Sequence, residues 1–249
     1  MLDSSAWFFL PNKRVAVATL FYRSSSYSSK TRQTRFDFAG RYLMMSADTS
    51  DIIGCILCGG KSRRMGGADK ALIELEGSAL LERVVTRLQS QLHQIVVSVN
   101  EPGDLHEGLQ LPLLADKLSG HLGPLAGVHS ALCWAQENEK DAHWVMTAAV
   151  DTPFFPEDLA GTLKAHAEDA LPNPVICSSA GRDHYTFGLW PVALADPLKT
   201  YLLDGGRSLR GFFESYPPKI IEFEVQGGLD PFFNINSPED IPVALAHIS

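Results

Sequence analysis

Three short, almost wholly apolar runs constrain the fold most. They are Ile52–Leu57 (IIGCIL), Gln94–Val99 (QIVVSV) and His143–Val150 (HWVMTAAV). Runs of this length, too short for a stable helix and bounded by turn residues, read as buried strands. The segments between them have a different period. Ser78–Leu92 carries Leu80, Leu81, Val84, Val85, Leu88 and Leu92 at helical spacing, with Ser78 as the expected N-cap. A second helix is expected from Pro124, because proline suits the first turn. A third covers Phe155–Asp169. Strands that alternate with helices need crossover connections, so the sheet should be mostly parallel with helices on both faces.

The second half is less regular. Asn173–Ser179, Asp183–Trp190 and Lys219–Val225 read as strands, and Pro191–Gly205 and Arg207–Tyr216 as helices. Ser237–Ile248 reads as a closing helix with Ser237 as N-cap and Pro238 at its first position. Residues 1–48 read differently. The stretch Tyr22–Arg41 is rich in Ser and Arg without sustained periodicity, as in a flexible tail or a transit peptide. Met44 or Met45 is the expected start, which makes 1–48 a disordered extension and 49–249 one domain.

Charge narrows the partners. Residues 1–50 carry seven Lys/Arg against three Asp/Glu, and residues 51–249 carry fourteen against twenty-six. A body at −12 cannot offset phosphate repulsion broadly, which argues against general nucleic-acid binding. No run approaches the ~20 apolar residues of a membrane span. Cys55 and Cys58 have C-x-x-C spacing, the spacing of a redox pair or half a zinc site. No second pair completes a metal site, and redox pairs open helices rather than lie in strands. Two small apolar residues on opposite faces of a buried strand is the better reading. Four cysteines without a framework of spacings point to a reducing cytoplasm.

The chemistry is concentrated in Gly59–Lys70, which holds four glycines and four basic residues. Gly60-Lys61-Ser62 imitates the end of a Walker loop. The leading glycine of that pattern should stand at position 55, where Cys55 lies inside the strand, and further glycines interrupt the helix that should follow. Glycines at 59, 60, 66 and 67 let the backbone approach an anion and turn N–H groups onto it. Arg64 offers a planar fork and Lys70 a point charge. Asp151 follows a strand and should lie at the carboxyl edge of the sheet, where open α/β folds bind ligands. It could hold a hard divalent cation or cap the next helix. Asp116, at the end of the extended run Leu111–Asp116, reads by itself as a carboxylate at a strand end or a turn residue. Asn234 and Asn236 fall two apart, on one face of an expected strand.

The whole stretch, an apolar strand followed by L-x-G-G-x-x-x-R-M-G-G-x-D-K, resembles the signature of α/β nucleotidyltransferases and most closely the molybdenum cofactor guanylyltransferases. Gly123–Gly127 (GPLAG), Asp151–Phe154 (DTPF) and Phe233–Ile241 (FNINSPEDI) resemble that family's further motifs, in order, over residues 52–249. The resemblance implies a three-layer, Rossmann-like fold of the nucleotide-diphospho-sugar-transferase kind. It implies an Mg²⁺-dependent transfer of GMP from GTP to the terminal phosphate of molybdopterin, in the cytoplasm. It also implies contacts with cofactor-synthesis proteins or acceptor molybdoenzymes. Catalytic roles then fall to Arg64, Lys70 and Asp151, with Asp151 on the metal. Nucleotide contacts fall to Leu57, Cys58, Gly59, Gly60, Lys70, Ser98, Asn100, Asp116 and Asp151. The acceptor side falls to Arg182, His184, Asn234 and Asn236, and Gly205–Ser208 is either an added phosphate contact or a helix cap. Cys58 stands where the family usually has alanine, and Ser98 where it often has asparagine. A cytidylyltransferase on the same cofactor, a sugar-phosphate nucleotidyltransferase and a non-catalytic cofactor carrier are the alternatives.

Overall fold

The computed structural model describes residues 35–36, 42–43, 47–59, 70–99, 108–118, 123–225 and 227–248. The expected tail and start site at 1–48 lie mostly outside them. The chain divides into two units, Met1–Ser46 and Ala47–Ser249. In the first, β1 (Arg35–Phe36) pairs antiparallel with β2 (Tyr42–Leu43).

The second unit is built on a seven-stranded sheet. Its strands are β3 (Ile52–Leu57), β6 (Gln94–Ser98), β7 (Leu113–Leu114), β8 (Trp144–Ala149), β9 (Val175–Ser179), β10 (Arg182–Pro191) and β11 (Lys219–Phe223). The order is β11-β9-β10-β8-β3-β6-β7. β10 alone runs opposite, antiparallel to both β8 and β9. The short β4 (Glu74–Leu75) and β5 (Ser78–Ala79) form a separate antiparallel ribbon.

β3, β8 and β9 are buried along their whole length, and β6 beyond Gln94, which is why they read as continuous apolar runs; β11, at the edge, alternates. Ile52 and Ile56 of β3 join the core under α1 (Leu80–Gln89), whose Leu81, Val84, Val85 and Leu88 supply the facing side chains. Leu159, Ala160 and Leu163 of the helix Leu159–Lys164 (labelled α3) extend the same layer. Ile53, Cys55 and Leu57 join the opposite core, under α2 (Pro124–Asn138) and the helix Ala195–Leu203 (labelled α5). This gives the expected three-layer α/β fold. β3 has β6 on one side and β8 on the other. The chain reverses its direction of winding there, and the crevice beyond the carboxyl ends of these strands is where such folds take ligands.

Several element ends differ from expectation. Ser78 does not cap α1: it lies in β5, and the cap is Ala79, whose N–H donates to Glu82 Oε2 at 3.0 Å. Phe155–Asp169 is two helices, α3 and α4 (Ala167–Ala170), because the His166 N–H turns back to the Leu163 carbonyl at 3.0 Å and tightens the chain. Arg207–Tyr216 contains only the one-turn α6 (Leu209–Phe212), followed by short turns. The last helix, α7, spans Asp240–Leu245, and Ser237 is not its N-cap. Asp240 Oδ2 instead accepts from the Asn236 and Ser237 N–H groups, at 2.9 and 2.8 Å. The cap position is Glu239, and the Asp240 carboxylate ties down two residues that lead into it. Asn234 and Asn236 belong to the irregular segment before α7, not to a strand. Cys58 lies one residue past β3, whereas Cys55 is buried inside it.

Candidate active site

The carboxyl ends of β3, β6 and β8 are tied together by backbone bonds. The Cys58 N–H donates to the Ser98 carbonyl at 2.9 Å, and the Val150 N–H to the Leu57 carbonyl at 3.2 Å. These bonds bring Leu57, Cys58, Gly59, Ser98 and the Asp151 backbone to one rim. Gly59 is exposed and Ser98 is buried.

Lys70 opens a short 3₁₀ turn, Lys70–Leu72. Its Nζ donates to Asp151 Oδ2 at 2.6 Å and to Asn236 Oδ1 at 2.5 Å. The Ile235 N–H donates to the Asp151 carbonyl at 2.8 Å, and Thr152 Oγ1 lies 3.4 Å from Asp151 Oδ1. Three distant segments therefore meet around one ammonium group. The side chains of Lys70 and Asp151 keep 19% and 15% of their surface exposed, so the pair is reachable without being freely solvated. Asn234 contributes a buried Oδ1 with no hydrogen-bond partner among the described residues, a rare state that a donor would relieve.

The GPLAG motif has a physical cause. Gly123 begins α2 at φ 70°, a conformation glycine adopts readily. Gly127 lets the helix settle on the sheet: a Cβ there would lie 2.5 Å from Ser98 Oγ and 2.9 Å from Leu57 Cδ2. One turn on, Ser130 Oγ accepts the Lys117 N–H at 3.1 Å. Helix α2 thereby sets both Ser98 and the loop after β7. Asp116 in that loop is half-buried, and burial pushes its carboxyl above the usual range.

Beyond β8, at the β9–β10 hairpin, His184 Nε2 lies 2.7 Å from Ser179 Oγ, and that hydroxyl donates to Asp230 Oδ1 at 2.6 Å. Burial lowers the His184 pKa, with the Asp230 charge opposing the shift. Arg182 is exposed at the start of β10. The Gly205–Ser208 loop is occupied with itself. Arg207 Nη1 donates to the Leu202 and Gly206 carbonyls at 2.7 and 2.6 Å, and Ser208 caps α6 through the Gly211 N–H.

The structure thus joins Lys70, Asp151 and Asn236, and lines up Leu57, Cys58, Gly59 and Ser98 along the rim. Arg64, Gly60, Gly66, Gly67 and Asn100 lie outside the described residues. Among the described residues no cluster of three His, Cys, Asp or Glu side chains forms a metal centre. Cys55 is no reactive thiol, since burial pushes it up to about 12. Ser179 and Asp230 escaped the sequence reading. The Asp-Pro turn signal at Asp230 was there to be read; buried Ser179 gave none.

The chain is similar to several known proteins. The family model described as MobA-like NTP transferase domain matches residues 54–220. A molybdenum cofactor guanylyltransferase of Mesorhizobium japonicum is 42% identical over 197 residues, covering 78% of this chain and 94% of the relative. One of Rhodopseudomonas palustris is 40% identical, covering 81% and 96%. The crystal structure of a molybdopterin-guanine dinucleotide biosynthesis protein A from Archaeoglobus fulgidus superposes with a TM-score of 0.61 at 22% identity, covering 79% of this chain and 98% of that one. The last likeness carries the fold alone; with the family model and the two sequence relatives, it is on these grounds that the chain belongs to the MobA-like NTP transferase domain family and is a nucleotidyltransferase.

Proposed function

We propose that the chain transfers GMP from GTP to the terminal phosphate of molybdopterin, giving the guanine dinucleotide cofactor and pyrophosphate. The observation that carries the reading is the meeting of Lys70, Asp151 and Asn236 beyond the carboxyl ends of β3 and β8. An oxygen of the acceptor phosphate attacks the α-phosphorus of GTP. The bond to the bridging oxygen breaks, and pyrophosphate leaves with the electron pair. A phosphate monoester has a second pKa of about 6, so at neutral pH the attacking oxygen needs no base. Catalysis then reduces to bringing anions together and neutralising the charge that builds.

The residues divide accordingly. Leu57, Cys58, Gly59 and Gly60 offer backbone to the nucleotide. Ser98, Asn100 and Asp116 take the guanine or ribose. Arg64 takes the outer phosphates, and Lys70 the α-phosphate. Arg182, Asn234 and Asn236 serve the acceptor; His184, expected beside them, is engaged by Ser179 and Phe232 instead. Asp151 is the ligand for Mg²⁺, which when bound supplies positive charge to the phosphate oxygens. The donor set fits such an ion. The Asp151 carboxylate and the Asn236 amide oxygen are hard donors drawn to one point by Lys70, and Mg²⁺ keeps most of its waters. Lys70 must give up these oxygens as ligands enter. The reading also places the chain in a reducing cytoplasm, which suits cysteines without a disulfide framework.

Nucleotide competition tests the assignment. GTP with Mg²⁺ is expected to raise the melting temperature, and to yield pyrophosphate once molybdopterin is present, while CTP does neither. Stabilisation and turnover with CTP alone would replace guanine by cytosine.

A further inference from the structure

The segment that brings Asn236 and Ile235 to Lys70 and Asp151 is fastened at its other end to the β9–β10 hairpin. Asp230 Oδ1 accepts both the Ser179 hydroxyl, at 2.6 Å, and the Phe232 N–H, at 2.8 Å. Ser179 is fully buried at the end of β9. The His184 ring places Nε2 2.7 Å from the same hydroxyl and stacks on Phe232 with centroids 4.7 Å apart. Phe232 also packs against Phe187 and Phe223, at 5.0 and 5.4 Å. The pairing of β9 with β10 shifts register between His184 and Gly188, and an irregularity of this kind re-aims a side chain.

Counting protons orders the contacts. A serine hydroxyl has one proton and a carboxylate can only accept. The Ser179 proton therefore goes to Asp230, and His184 must donate from Nε2, an assignment made from the network. His184, Ser179, Asp230 and the Phe232 amide form one chain of bonds, with every donor and acceptor in a consistent role. The other end of the segment is the Ile235 N–H on the Asp151 carbonyl and the Asn236 amide on Lys70.

We propose that His184 is a positioning residue: through Ser179 and Asp230 it holds the 230–236 segment where Ile235 and Asn236 meet Asp151 and Lys70. Its hydrogen bond and its stacking go to Ser179 and Phe232. It acts on the reacting centre through them. The consequence for catalysis rests on the transfer reading above, whereas the clamp itself does not.

Amide hydrogen exchange on the ligand-free full chain tests the clamp. His184→Phe keeps an aromatic ring for Phe232 and removes the donor, while His184→Gln restores a donor near the Nε2 position. In His184→Phe the Ile235 amide should exchange about five to ten times faster while the β3 and β8 amides stay unchanged, and His184→Gln should return toward wild type. In the pyrophosphate-release assay, kcat should fall by a similar factor with KM for GTP within about twofold. Unchanged Ile235 exchange in His184→Phe overturns the proposal, as does a rise shared equally by β3 and β8. Faster Ile235 exchange with unchanged kcat overturns the positioning role. Should His184→Phe fail to fold, Ser179→Ala removes the shared hydroxyl and carries the same expectation and the same overturning results. Turnover with CTP in place of GTP would overturn the base assignment and leave the exchange result untouched.

Discussion

Lys70 is bound by oxygens of Asp151 and Asn236, 81 and 166 positions away along the chain. An ammonium group satisfied twice, by a part-buried carboxylate oxygen and an exposed amide oxygen, is fixed in place but not trapped, because charged ligands can exchange for both partners. Asp151→Asn separates the two uses of the carboxylate. The amide oxygen still accepts from Lys70, so the fold should survive with a loss of about 1–2 kcal/mol. The negative charge is gone, so kcat should drop by about two to three orders of magnitude, the cost of losing one strong electrostatic contact in a transition state. Melting temperature and pyrophosphate release, measured together, check both halves. Turnover close to wild type would remove Asp151 from the metal role.

At the scale of elements, α2 matters most to the rim. In an open helix, Gly→Ala usually stabilises, by up to about 1 kcal/mol. At position 127 the sign should reverse. A Cβ there meets Ser98 Oγ at 2.5 Å, Leu57 Cδ2 at 2.9 Å and Ser98 Cβ at 3.2 Å. Gly127→Ala should therefore destabilise by about 1–3 kcal/mol, the range for overpacking a filled core. Ser98→Ala in the same chain removes the closest atom and should recover part of the loss. Denaturant unfolding of the single and double variants gives the coupling directly. The same helix shows where a one-dimensional reading stops. Its start was legible, because Pro124 carries a local rule; the reason for Gly127 was not, because it lies in β3 and β6. The cap of α7 was misread likewise. Ser237 fits the local pattern, but Asp240 reaches back to the Asn236 and Ser237 N–H groups ahead of the helix, and the cap falls on Glu239.

At the scale of the whole molecule, acid should weaken the fold through His129. It lies in α2 with 2% of its surface exposed, and its Nδ1 has no hydrogen-bond partner among the described residues. Burial lowers its pKa from the ordinary 6.5; Lys199 and Lys117 act in the same direction and Asp196 opposes them. A histidine that resists protonation when folded binds fewer protons than it does unfolded. Its contribution is complete above pH 6.5 and is lost as pH falls toward and through the lower folded value. For one proton the slope cannot exceed about 1.4 kcal/mol per pH unit. His129→Leu should show a shallower loss than wild type between pH 7.5 and the acid limb in urea unfolding; equal slopes would rule the residue out.

The sequence by itself determined the layered α/β class, since apolar runs of strand length alternating with amphipathic segments admit few other packings. It also located Gly59 and Asp151 just past strand ends, because local patterning marks where a strand stops. Only the tertiary structure decided the rest: that β10 runs antiparallel between β8 and β9, that Asn236 closes on Lys70, and that Ser179, His184 and Asp230 share a single hydroxyl. Those facts depend on strand order and on bonds between residues far apart in the chain. No local period encodes them, and they exist only once the sheet has brought the segments together.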